Sequence, residues 1–112
     1  MELKTIVEQL DLKVKTSRGN LACDITGVYI SDLLSDVLAH AKEGDLWVTL
    51  QGHPNVVAVA AMKDLSGILL NNSRTPEDET LKKANDEAIP ILTSKMPAFE
   101  LAGKLYTLLG GE

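Results

Sequence analysis

The sequence predicts an α/β fold: three layers, α/β/α, around a mainly parallel sheet of four to five strands. Three observations predict it. Strand-like and helix-like segments alternate four times from residue 21 onward, with short connections. Each of the four helices expected after residue 30 opens on a recognisable start signal: Ser31-Asp32, Pro54, Thr75-Pro76 or Pro97. The chain has 112 residues, 45% of them hydrophobic, which is enough for one domain with its own core. With one Phe, one Trp and two Tyr, that core must be mostly Leu, Val, Ile and Ala.

Leu3, Ile6, Val7 and Leu10 recur at helical spacing, so a short helix is expected over 3–10. Leu12 and Val14 alternate as in a strand, and Arg18-Gly19-Asn20 reads as a turn. Val28-Tyr29-Ile30 is the best strand core in 21–30. Ser31 is placed to cap the next helix, with Asp32 in its first turn. Leu33, Leu34, Val37, Leu38 and Ala41 then make one apolar face, and Gly44 ends the helix.

Residues 45–51, DLWVTLQ, form the next strand. The run PNVVAVAAMK (54–63) also suits a strand through its valines. It has no alternation and no turn signal for ten residues, so a buried helix opened by Pro54 is expected. SGILLNN (66–72) reads as a buried strand. Thr75 can cap the helix that follows, with Pro76 at its first position and Glu77, Asp78 and Glu79 complementing its dipole. Lys82 and Lys83 lie four residues after Asp78 and Glu79, at ion-pair spacing. AIPILTS (88–94) is a short strand. Pro97 begins a last helix with Phe99, Ala102, Leu105, Tyr106 and Leu109 on one face and Gly110-Gly111 at its end.

Charge and composition exclude several classes. The net charge is −5, and no basic patch interleaved with aromatics is visible, so nucleic acid is not an expected partner. No apolar run reaches the roughly 20 residues that span a bilayer. The opening MELKTIVEQL carries acids and no cleavage site. Lone Cys23 forms no internal disulfide and suits a reducing compartment, where it would be a small buried apolar residue. A cytoplasmic location is the default.

In such a sheet the strand-to-helix loops emerge together at the carboxyl edge, where ligands gather. Four polar loops qualify: Ser31-Asp32, Gln51-Gly52-His53-Pro54-Asn55, Asn71-Asn72-Ser73-Arg74-Thr75 and Thr93-Ser94. The helix after Pro54 has no acid before Asp64, so its amides at Asn55 and Val56 make the most anion-friendly helix start. Gly52 allows close approach of a backbone, and His53 and Arg74 add positive charge. The plainer readings are an exposed turn or helix cap for His53 and a tight turn for Asn71-Asn72-Ser73. His40 and Asp24 read as solvated or edge residues. The sequence has no Walker A, G-x-G-x-x-G or G-x-S-x-G motif and no zinc spacing, so no catalytic residue, metal or cofactor is expected.

The segments VYISDLLSDVLAHAKEGDLWVTLQG and GILLNNSRTPEDETLKKANDEAIPILTS carry a family resemblance over residues 21–109. In the order and spacing of Ser31-Asp32, Gly44-Asp45, the GILL strand, the Thr-Pro-acidic helix start and IPIL, the chain resembles DRTGG domains and the N-terminal domain of HPr kinase/phosphorylase. The resemblance implies that residues 1–112 are a single DRTGG-like domain. Where that family has Asp-Arg after a loop glycine, this chain has His53-Pro54 after Gly52. Where it has Thr-Gly-Gly, this chain has Asn71-Asn72-Ser73. Such domains are regulatory accessories of kinases, pyrophosphatases and acyltransferases. Stand-alone members are labelled serine kinases by association and lie near hydrogenase and redox genes, which points to redox-protein partners.

The expectation is a non-catalytic regulatory or sensory domain that binds a small anionic ligand, a nucleotide among the candidates, or a partner protein. Gly52, His53 and Asn55 would face Asn71, Asn72 and Ser73 across one cleft. The alternatives are a homodimerising interaction module, with Tyr106 and Leu108 exposed, and an accessory serine-kinase-like protein.

Overall fold

The computed structural model describes residues 1–110. Its sheet has five strands in the order β1-β5-β4-β3-β2. They are β1 (Lys13–Val14), β2 (Gly27–Ile30), β3 (Asp45–Thr49), β4 (Gly67–Leu70) and β5 (Ile91–Thr93). β2 to β5 run parallel, and β1 joins antiparallel to β5 with Lys13 opposite Thr93. The helices are α1 (Leu3–Gln9), α2 (Leu34–His40), α3 (Asn55–Met62), α4 (Asp78–Asp86) and α5 (Ala98–Leu108). The expected α/β/α layers and mainly parallel sheet are present.

Side-chain alternation along the strands builds two cores. Trp47, Ile68, Leu70 and Ile91 pack with Val37 of α2, the valines of α3 and Ala84 of α4. Leu46, Val48, Leu69 and Leu92 point the other way, to Leu3 and Ile6 of α1 and Leu101 and Leu105 of α5. Consecutive parallel strands are sheet neighbours, so the crossovers α2, α3 and α4 share one face, as right-handed connections require. The last connection, from β5 to α5, goes to the opposite face.

The apolar run 54–63 is a helix, with Val56, Val57, Val59 and Ala60 buried. Trp47 is fully buried, and its indole Nε1–H donates to Ser31 O at 2.8 Å, which meets the polar requirement of a buried ring.

Four details differ from the sequence expectation. Helix α2 starts at Leu34, not after Ser31. The Asp32 carboxylate accepts from Thr49 Oγ1 at 2.8 Å and Leu50 N at 2.7 Å, which holds residues 31–33 as a tie between strand ends. Of the apolar face expected around α2, Leu33 and Leu38 remain exposed while Val37 and Ala41 are buried. Thr75 does not cap α4; Glu77 takes the position before its first residue. Gly52 O accepts from Glu77 N at 3.1 Å and from Thr80 Oγ1 at 2.6 Å and so docks that helix start. On α5 the buried pair is Leu101 and Leu105, while Phe99 and Tyr106 are 92% and 62% exposed. The i, i+4 pair faces the sheet, and the other two rings lie outside that stripe. Gly111, expected to end this helix, lies outside the described residues. Lys83 pairs with Glu79 at 3.9 Å, as the spacing predicts.

Candidate functional site

The carboxyl ends of β2 to β5 form one rim, and segments 51–55 and 71–75 are neighbours on it. A Cβ on Gly52 would lie 2.7 Å from Thr75 O and 3.3 Å from Pro76 Cα. Gly52 therefore serves a close approach, but of the protein's own backbone rather than a ligand's.

His53 is exposed, and its Nδ1 accepts from Asn55 N at 3.0 Å; Val56 N donates to His53 O at 3.1 Å. The two amides expected to be free at the start of α3 thus already have partners. No acid stands in the first turn of α3, as expected. Asn55 itself lines a hollow of about 330 Å³ between α3 and α4, apart from the rest of the rim.

Asn71 is buried and structural. In the orientation that satisfies its amide, the nitrogen donates to Thr49 O at 3.0 Å and the oxygen accepts from Ala98 N at 3.2 Å. It ties β3 to the first residue of α5. Asn72 and Ser73 have φ of +56° and +59°. Two successive non-glycine residues in the left-handed region store strain. They are held there by Asn72 N donating to Met96 O at 2.8 Å and Ser73 N donating to Ser94 O at 2.9 Å. In the resemblance described above, these positions correspond to the two glycines of the DRTGG pattern. The backbone geometry that favours glycine is kept here by asparagine, which tolerates it, and by serine.

The stitched loops 71–75 and 93–96 frame a crevice of about 550 Å³. It lies where neighbouring connections part, since β4 leads to α4 on one face and β5 to α5 on the other. Such divergence opens a cleft at the carboxyl ends of a parallel sheet. Ser73, Arg74, Thr75, Ser94 and Lys95 line it from the two loops. Lys13 and Lys15 reach it from β1 and its continuation, and Lys104 from α5. Of the residues expected to form the site, Ser73 lines this crevice. Arg74 was legible as a charge near the rim. The lysines were not, because three distant segments must meet before they form a group; the alternation in Lys13-Val14-Lys15 is the one local signal.

Elsewhere, Tyr29 Oη donates to Asp36 Oδ2 at 2.8 Å, and His40 Nδ1 sits 3.1 Å from Asp36 Oδ1. The Tyr29 and Ser31 hydrogen bonds hold the Asp36 carboxyl below its ordinary value, and the Tyr29 hydroxyl is pushed up in return. This cluster braces α2 against β2. Cys23 is half-buried, and burial raises its thiol. Among the described residues, no group of three or more His, Cys, Asp or Glu side chains could hold a metal ion. No helix there is long and apolar enough to cross a membrane.

No protein-family model matches this chain, and no curated protein matches it. Its fold is similar to part of a crystal structure of the CBS and DRTGG domains from the regulatory region of Clostridium perfringens pyrophosphatase, complexed with the activator diadenosine tetraphosphate. The likeness has a TM-score of 0.68 at 15% sequence identity and covers 91% of this chain. The chain spans less than half of that structure, 44% of its length. The fold of this chain is thus a DRTGG-like α/β fold.

Proposed function

We propose that this chain is a non-catalytic regulatory domain that binds a small anionic ligand, with nucleotides the leading class. The carrying observation is the polar crevice between the β4 and β5 loops, lined by Arg74 and Lys95 in a chain of net charge −5. The nucleotide activator bound by the pyrophosphatase regulatory region supports the reading. In this arrangement Ser73 touches the ligand, Asn71 and Asn72 hold the loop that presents it, and Gly52, His53 and Asn55 organise the adjoining rim.

Calorimetric titration of the protein with adenine mono-, di- and triphosphates and diadenosine tetraphosphate tests this. Saturable heat with at least one of them is expected, together with a stabilisation of about 2.7 kcal/mol at a hundredfold excess over Kd. Absence of both for every compound overturns the reading. Affinity that survives His53→Ala removes the imidazole from direct contact.

A second reading, a homodimer, is favoured by a separate surface. An apolar groove of about 1120 Å³ runs between edge strand β2 and α5, beside the exposed Phe99, Tyr106 and Ile30. A second copy covering it would pair β2 with β2 and bury both rings. Light scattering that gives a dimer, reduced to a monomer by Phe99→Ser with Tyr106→Ser, supports it.

A further inference from the structure

We infer that the crevice between the β4 and β5 loops recognises a linear chain of three or more phosphates and does not read the base attached to it. The inference rests on the ligand-binding reading above and names the part of the ligand that is bound.

The charges carry it first. Lys13, Lys15, Arg74, Lys95 and Lys104 line the same crevice, against Asp11 and Glu100. Five cations against two carboxylates leave +3 there, while the whole chain, with 11 Lys and Arg residues, carries −5. The five come from four places: edge strand β1, the loop after β4, the loop after β5, and the second turn of α5. A solvated helix stripe would not draw on four segments.

Pairing carries it second. Among the described residues, ion pairs form between the terminal amine and Asp24, between His40 and Asp36, and between Lys83 and Glu79. None of the five crevice cations takes part in one. Grouped like charges in excess of the two carboxylates repel each other, and a multivalent anion relieves that repulsion. The hydroxyls of Ser73, Thr75, Thr93 and Ser94 add neutral donors along the same wall.

The lining residues carry it third. No Phe, Tyr, Trp or His is among the crevice residues that the structure describes. Stacking on a ring, worth about 1–3 kcal/mol per base where it occurs, is therefore absent. Besides Gln9, Leu10 and Met96, the lining offers charge and hydroxyl donors, which fit phosphate oxygens and discriminate by the number of phosphates. Inorganic polyphosphate and the phosphate chain of a nucleotide share this chemistry.

Titration of the full chain with inorganic tripolyphosphate, ATP, AMP and adenosine, without divalent metal, tests the inference. Tripolyphosphate and ATP should bind within about threefold of each other, AMP about tenfold or more weaker, and adenosine not at all. Affinity for tripolyphosphate should fall steeply between low and physiological salt. Arg74→Ala with Lys95→Ala should weaken tripolyphosphate about tenfold or more while the melting temperature of the free protein holds or rises, because like charges are removed. Lys13→Gln with Lys104→Gln should do the same from β1 and α5. ATP or adenosine binding without tripolyphosphate overturns the phosphate-chain inference and leaves the ligand-binding reading standing. So does binding that neither double variant changes. Silence from all four compounds overturns the phosphate-chain inference, and the ligand-binding reading falls with it only when ADP and diadenosine tetraphosphate are silent too.

Discussion

At one end of the rim, the loops after β2 and β3 satisfy one another; at the other, the loops after β4 and β5 leave their charges facing a crevice. Asp32 holds Thr49 and Leu50, His53 caps Asn55, and Gly52 O anchors α4. The groups named here are all partnered inside the protein. Across the rim, the backbone of Asn72 and Ser73 is just as firmly tied, yet Arg74 and Lys95 have no ion-pair partner among the described residues. Both loops are polar in sequence. The difference lies in whether the polar groups meet acceptors and donors of their own chain, and that separates a structural turn from a place where a ligand can act.

The comparison can be broken most sharply at Gly52. Its added methyl would meet Thr75 O, a backbone atom that does not swing aside, so Gly52→Ala should cost about 2 kcal/mol or more in urea unfolding. A fully stable variant would mean that the two loops do not touch. Asp32→Ala comes next. It removes the acceptor for Thr49 Oγ1 and Leu50 N and should cost about 1.5 kcal/mol by the same measurement.

At the open end the expected sign reverses. Ser73→Gly relieves a left-handed serine and should stabilise the fold by about 0.5–1 kcal/mol. Asn72→Gly should gain less, because asparagine already tolerates that geometry. A destabilised Ser73→Gly would place Ser73 outside the left-handed region.

The smallest expected effect is electrostatic. In Tyr29→Phe the Asp36 carboxyl, followed by NMR titration, should rise toward its ordinary value of 3.8. Because the fold lowers this group, its ionised form favours the native state. That contribution is present at pH above the unfolded value and is lost as pH falls through the lowered folded value. Tyr29→Phe should therefore flatten the acid side of the stability profile and leave the neutral side unaltered in slope. A carboxyl that does not move in the variant would assign the shift to Ser31 or His40 instead.

The helices and strands were legible because each is a local pattern. The valines of α3, the GILL strand and the acidic start of α4 announce themselves within a few residues of chain. Helix starts were less legible. Ser31-Asp32 and Thr75 have the right residue types for caps, but Asp32 bonds across to β3 and the start of α4 docks on Gly52 O. A capping residue with a better partner in another element does not cap. The apolar face of α5 was misread at Phe99 and Tyr106, since hydrophobicity alone does not say which stripe meets the sheet.

Local periodicity, turn chemistry and charge by themselves determined the α/β class, the order of elements and the polar character of the rim. Only the tertiary structure decided which rim residues gather. The antiparallel seat of β1 beside β5 sets Lys13 opposite Thr93 and Lys15 opposite Ile91, on the edge of the crevice, and the turn of α5 to the opposite face opens the cleft. Strand pairing is a contact between residues some 80 positions apart, and its register is set by how the two cores close rather than by any pattern within β1 itself.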